Sequence, residues 1–305
     1  TRIPSSAASD VYKRQDLGGT NIRHAFFLEN TLSNISKKKI SDKDFFPYLS
    51  KLLKEKKEDI DYLVVAAAGP NDKKSIKLTN RKLIIDAAEL ETRLNLKKCL
   101  LLNDWEAVAH ALNQLHQKSF LTIKEGSPSN KNTLLIGPGT GLGVTLIVDD
   151  QIIPTEFGNV LSPTARMLDN FNLRGSKKFS SLESILSGPG IEMLYEEKFQ
   201  KKLSSEEIIK LALHGNENEF YIVDNFLKTF FMTVNDLVLT FSIEKIILGG
   251  SIMNSLEPML ASAQNYLISE VNPKYSQLIE KLQAILLLGD EPGIFGCLDL
   301  LKNTD

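Results

Sequence analysis

Residues 132–150 read "NTLLIGPGTGLGVTLIVDD". Glycines directly after an apolar run suggest a dinucleotide-binding turn, but that fingerprint needs strand, glycines and then helix, because the pyrophosphate sits on the helix N-terminus. Here "TLLI" reads as a strand, and so does "VTLIV", which is β-branched and apolar. The glycines therefore close a β-hairpin. Such a turn can be a tight reversal needing φ > 0. It can also line up backbone N–H groups for phosphate oxygens, with no side chain in the way. From this loop alone both readings stay open.

Outward from the hairpin, strands and helices alternate. "DLGGTNIRHAFFLE" (16–29) reads as strand, turn, strand. "FFPYLSKLLKEKK" carries Phe45, Phe46, Leu49, Leu52 and Leu53 at helical spacing. "YLVVAAAG" is a buried strand, and "DAAELETRLN" opens with the capping-box pair Asp86 and Glu89. "CLLLN" is a strand leading into the amphipathic helix "DWEAVAHALNQLH". In the second half, "ESILSGPGIEMLYEEKF" predicts helix, Gly-Pro-Gly break, helix, with Ser181 as the cap. "FYIVDNFLKTFFMTVNDLVLTF" predicts a long apolar helix. "KIILGGS" reads as strand into glycine turn, "QAILLLGD" as a strand and "GIFGCLDLL" as a final helix. Two glycine turns, each opening an α/β half, argue for a duplicated α/β architecture. Ligands in such folds bind in a cleft at the carboxyl ends of strands.

Composition narrows the function classes. The 305 residues suffice for two domains. The net charge of −2 gives no electrostatic reason to expect nucleic acid or a membrane surface as partner. No apolar run approaches the ~20 residues of a membrane span, and no secretory leader is visible. Cys99 and Cys297 sit in apolar contexts and form neither a disulfide framework nor a zinc pattern. The four histidines show no ligand spacing. A cytoplasmic location is expected. Residues 1–15, "TRIPSSAASDVYKRQ", read as an adaptor or linker segment to be set apart from fold reasoning, with a native tail as the alternative. On that reading the first strand is partly replaced.

Three carboxylates stand where chemistry could use them. Asn103 and Asp104 follow a buried strand and open a helix. Asn103 with Glu106 makes a capping box, and Asp104 in the first turn favours the helix dipole. The same position suits a carboxylate taking a proton from a substrate hydroxyl, and the two roles are compatible. Glu156 in "IIPTEFGN" and Glu183 in "SLESILSGPG" stand next to glycines. Isolated, each would be solvated surface; converging, they would suit a polyol.

Taken in order, "DLGGTN", "LTN", "LLNDWEAVAHAL", "GPGTGLGV", "TEFGN", "ESILSGPG", "IILGGS" and "EPGIFG" resemble the bacterial-type glucokinases, hexose kinases of the actin/hexokinase/Hsp70-like ATPase superfamily. The resemblance spans about residues 16–300. The zinc-binding cysteine motif of the repressor/kinase sugar-kinase family is absent. The resemblance implies an α/β, two-domain actin-like ATPase (ribonuclease H-like) fold with a central cleft. It implies a small domain of 16–103 completed by a C-terminal helix at about 294–305, and a large domain of 104–293. It implies ATP-dependent transfer to a hexose 6-hydroxyl, most simply glucose, with Mg2+ as cofactor. On these positions Asp104 matches the general base, and Asn103, Glu156 and Glu183 match sugar-hydroxyl ligands. Asp16, Gly18, Gly19, Thr20 and Asn21 match the first phosphate loop, with Asp16 near the Mg2+. Gly137, Gly139, Thr140 and Gly141 match the second, and Gly249 and Gly250 the adenosine-side turn. Relatives are often homodimers. Two departures stand out: Asn159 where the family has His, and Phe157 where it has Gly. They leave open a kinase for another hexose, or a non-catalytic sugar sensor on the same fold. An actin- or Hsp70-like ATPase is disfavoured by Glu156, Glu183 and the Asn103–Asp104 pair.

Overall fold

The computed structural model describes residues 7–16, 19–28, 31–55, 60–79, 82–161, 164–174, 177–289 and 292–302, with backbone alone at 7–16, 19–21, 28, 31 and 302. The chain forms two compact units, Thr1–Leu115 with Glu291–Asp305, and His116–Asp290.

The first unit contains β1 (Ala7–Asp16), β2 (Gly19–Leu28), β3 (Thr31–Leu32), β4 (Ser36–Lys39), α1 (Phe45–Lys54), β5 (Ile60–Ala67), β6 (Ser75–Lys77), β7 (Ile84–Asp86), α2 (Ala87–Leu94), β8 (Lys98–Asn103) and α3 (Asp104–Ala111). The sheet runs β3-β2-β1-β5-β8, with β4 also on β2. β1 is antiparallel to β2 and parallel to β5, and β5 is parallel to β8. The carboxyl ends of β1, β5 and β8 therefore share one edge. β5 reads "IDYLVVAA", the near-continuous apolar run of a parallel strand covered on both faces. Asp86 caps α2 by accepting from Glu89 N–H at 2.8 Å, but the Glu89 carboxylate pairs with Arg93, so only half of the expected capping box forms.

Residues 7–16, part of the segment set apart above, supply the first strand of this sheet. Ala7–Asp16 is a central strand, registered against β2 from Ala8–Phe27 to Asp16–Gly19. Main-chain ladders accept almost any sequence, which is how "AASDVYKRQD" can take this position. Its Asp, Lys, Arg and Gln are unusual for a strand flanked on both sides. Exchanging Asp10, Lys13 and Gln15 for Val or Ile should raise the melting temperature, by about 2–4 °C per kcal/mol gained. Calorimetry showing no rise would count against a deficient first strand.

The second unit contains β9 (Phe120–Lys124), β10 (Thr133–Pro138), β11 (Leu142–Val148), β12 (Gln151–Thr155), α4 (Thr164–Asp169), α5 (Gly188–Phe199), α6 (Ser205–Leu213), α7 (Glu217–Phe241), β13 (Lys245–Leu248), α8 (Gly250–Ser255), α9 (Glu257–Ala263), α10 (Asn265–Ser269), α11 (Ser276–Lys281) and β14 (Gln283–Leu287). Its sheet runs β12-β11-β10-β13-β14-β9. β10 and β11 pair antiparallel from Thr133–Ile147 to Pro138–Leu142, so the glycine stretch closes a hairpin and no helix follows it. β13 lies parallel to β10 on its other side. The long helix α7 is the spine of the core, with Phe226, Phe230 and Phe231 fully buried. Among the described residues no helix is long and apolar enough to cross a membrane.

"ESILSGPGIEMLYEEKF" departs from expectation. Residues 183–187 are turns, and one helix begins at Gly188. Ser187, not Ser181, is the cap, accepting from Gly190 N–H at 3.0 Å. Proline lies in the first helical turn, where a missing N–H costs nothing. Gly-Pro-Gly therefore starts a helix and does not separate two.

The last helix, α12 (Pro292–Lys302), belongs to the first unit and packs on α3. A Cβ on Gly296 would overlap the Ala107 carbonyl and stand 3.0 Å from Ala111 N, so the two helices meet at a glycine. This packing keeps α3 in the first unit, and the division falls after Leu115, not after Asn103. α3 is also shorter than its pattern, ending at Ala111 before the turns of 112–114.

Candidate functional site

At the carboxyl edge of the first unit's sheet, β8 ends in Asn103, which is 7 % exposed. Its Oδ1 accepts from Trp105 N–H at 2.9 Å, and its own N–H donates to Glu106 Oε2 at 3.0 Å. The capping box is therefore real. The Asn103 amide donates to the Gly69 carbonyl at 3.4 Å, tying the end of β8 to the end of β5. Gly69 ends the stretch "YLVVAAAG". Its φ of +145° and the Lys77 carbonyl against it leave no room for a side chain. Asp104 follows in the first turn of α3, half-buried, its Oδ1 accepting from Trp105 N–H at 3.0 Å. Asp16 ends β1 at the same edge and pairs with Gly19 across the hairpin. Gly18 lies outside the described residues, as do the side chains of Asp16, Thr20 and Asn21.

In the second unit, the sequence-predicted residues come together around the end of β10. The turn 139–141 links Pro138 to Leu142. Gly139 N–H donates to Gly141 C=O at 2.8 Å, so that N–H is engaged inside the turn. Gly139 C=O accepts from Gly188 N–H at 2.7 Å, joining the hairpin to the start of α5. Gly249 N–H donates to Ile136 C=O at 3.0 Å. Gly250, at φ +86°, lies against the hairpin, and a Cβ there would stand 2.7 Å from the Pro138 carbonyl. Gly137–Gly141, Gly188 and Gly249–Gly250 thus form one backbone-lined cluster. In the sequence Gly188 reads as a helix break and as part of the "ESILSGPG" match.

The carboxylates flank the same turn. Glu183 Oε2 is 3.4 Å from Leu142 N, and Glu183 N–H donates to Gly158 C=O at 2.8 Å. Asn159 donates its amide to Glu156 Oε2 at 3.2 Å. The departure from His at this position thus leaves an amide oriented by the neighbouring carboxylate. Glu156 is exposed as a residue, yet its carboxyl group is partly desolvated. That desolvation raises its pKa; the Asn159 hydrogen bond lowers it, and the Glu183 charge raises it again. A raised carboxyl pKa means that the folded state binds a proton more readily than the unfolded one. Its contribution to stability is present below the unfolded value and lost as pH rises through the folded one. For ligand binding the sign is the reverse: an acceptor carboxylate is lost as pH falls. Affinity for a polyol should weaken on acidification while still above the ordinary Glu value of ~4.3. Glu156→Gln should remove that dependence, and calorimetric titration across pH 4–7 checks it. An unchanged profile in the variant would assign the dependence elsewhere.

The Cys99 thiol is kept protonated by its surroundings. Burial pushes Cys99 up to about 12, and neither cysteine is in a disulfide. His110 lies 3.6 Å from Asp299 on α12 and packs between helices. Among the described residues no group of three or more His, Cys, Asp or Glu could hold a metal ion.

The glucokinase of Balamuthia mandrillaris in complex with glucose superposes with a TM-score of 0.78 at 20% identity, over 98% of this chain and 94% of that one. The ROK family glucokinase of Streptomyces griseus in complex with glucose and AMPPNP gives 0.67 at 17%, over 97% and 99%. The fold is accordingly the actin-like ATPase fold of sugar kinases. A glucokinase of Colwellia psychrerythraea is 28% identical, over 95% of each chain. The glucokinase family model matches residues 14–304, and the chain belongs to the glucokinase family.

Proposed function

We propose that this sugar kinase transfers the terminal phosphoryl group of ATP to the 6-hydroxyl of glucose, with Asp104 as general base. The observation that carries the reading is the clustering of Glu156, Asn159 and Glu183 on the flank of a three-way glycine cluster. Acceptors for sugar hydroxyls and backbone suited to phosphates stand side by side. Phosphoryl transfer asks mainly for positioning and charge neutralisation. Gly137, Thr140, Gly141, Gly249 and Gly250 line the nucleotide side. Glu156 and Glu183 accept sugar hydroxyls, and the Asn159 amide, already held by Glu156, offers its oxygen. Asn103 fixes the end of β8, from which Asp104 orients the accepting hydroxyl and takes its proton. By the resemblance Asp16, at the end of β1, would hold the Mg2+ ion, which would neutralise phosphate charge. The protein acts in the cytoplasm, and a homodimer is the assembly the family leads us to expect.

ADP release measured with and without a panel of hexoses tests this. Release that depends on glucose supports the kinase. Release indifferent to sugar would favour a plain ATPase, and sugar binding without release a sensor. A preference for another hexose would trace to Asn159 and Phe157, and Asn159→His should then shift the preference toward glucose.

A further inference from the structure

Glu183 touches both halves of the second unit's site. Its backbone N–H is anchored on Gly158, within the turn that carries Glu156 and Asn159. Its Oε2 lies against the phosphate-side hairpin, 3.4 Å from Leu142 N and 2.7 Å from where a Cβ on Gly141 would stand. Leu142 in turn has its carbonyl against Gly158, which has no room there for a side chain. The 3.4 Å contact is at the long end for an N–H···O bond, so the carboxylate is loosely held and can be drawn away. A negative group resting on a turn shaped for phosphates opposes the ligand that the turn would take.

We propose that Glu183 is a positioning residue that couples sugar to nucleotide. Without sugar its carboxylate rests on the 139–142 turn and disfavours the triphosphate. A sugar hydroxyl donating to it draws it off and opens the turn. This rests on the reading of Glu183 as a sugar ligand given above. The coupling lies within one unit and needs only a side-chain shift. By linkage, ATP must tighten glucose by the same factor as glucose tightens ATP.

The test is ATP affinity by calorimetry, with no sugar and with saturating glucose, for the wild type and Glu183→Gln. In the wild type glucose should tighten ATP by about fivefold or more. In Glu183→Gln, ATP should bind tighter than wild type when sugar is absent, and the ratio should fall toward one. A residue that merely binds sugar, or merely supports the fold, would not tighten sugar-free ATP binding. Weakened glucose binding with the wild-type ratio retained overturns the coupling alone. Glucose affinity unchanged by the substitution overturns the sugar-ligand reading and the coupling with it. Should the variant fail to fold, hydrogen exchange of the wild-type peptide 137–146 decides. Glucose alone should change its protection, and no change would overturn the proposal.

Discussion

Asp104→Asn is expected to lower kcat by about 10²–10⁴-fold and to leave glucose affinity within about twofold of wild type. The amide is nearly isosteric and keeps an oxygen at the position that accepts from Trp105 N–H. The capping of α3 rests on Asn103 and Glu106, which the substitution does not touch. Loss of one negative charge in the first helical turn costs about 0.3–1 kcal/mol of stability, too little to unfold the chain. The effect should therefore fall on turnover. Steady-state kinetics with a calorimetric glucose titration separates the two quantities. Near-normal turnover would remove Asp104 from the role of base.

Gly296→Ala carries the second large effect, though it lies in a helix with no assigned chemistry. In an exposed helix interior, Ala is favoured over Gly by about 1 kcal/mol. Here the added methyl would overlap the Ala107 carbonyl, which is helix backbone and cannot rotate away. α12 and α3 must separate, and overpacking of this kind costs about 1–3 kcal/mol or more. The melting temperature should fall by about 2–4 °C per kcal/mol. Because α3 opens at Asp104, turnover should fall with it; a misplacement of about 1 Å can cost 10²-fold. A variant that melts higher than wild type would show that helix propensity wins and that the close approach is not real.

The second unit was more legible than the first. The hairpin at 133–148 could be read because "VTLIV" has strand composition where a dinucleotide fold would need a helix, and period and residue type agree. The Asn103–Glu106 box could be read because its spacing is local. Gly188 could not, since the role of "SGPG" depends on which side of Pro189 the helix grows, and the Ser187 cap decides that only in three dimensions. That the polar stretch Ala7–Asp16 itself makes the first strand could not be read for a related reason. Strand pairing is made by main-chain groups, and a polar sequence gives no periodic signal of it. Gly69 and Gly296 share the same limit: what makes each indispensable is a carbonyl from a distant element, and no local pattern announces it. The convergence of Glu156, Asn159 and Glu183 came from family resemblance rather than from spacing. Each alone has the features of a surface residue.

The most direct measurement is the product itself. Wild-type protein, ATP, Mg2+ and glucose are incubated and followed by phosphorus and proton magnetic resonance. The expected result is glucose phosphorylated on oxygen 6, with one ADP formed per sugar consumed. ADP accumulating with free phosphate and unmodified glucose, or no turnover at all in a folded protein that binds both ligands, would contradict it.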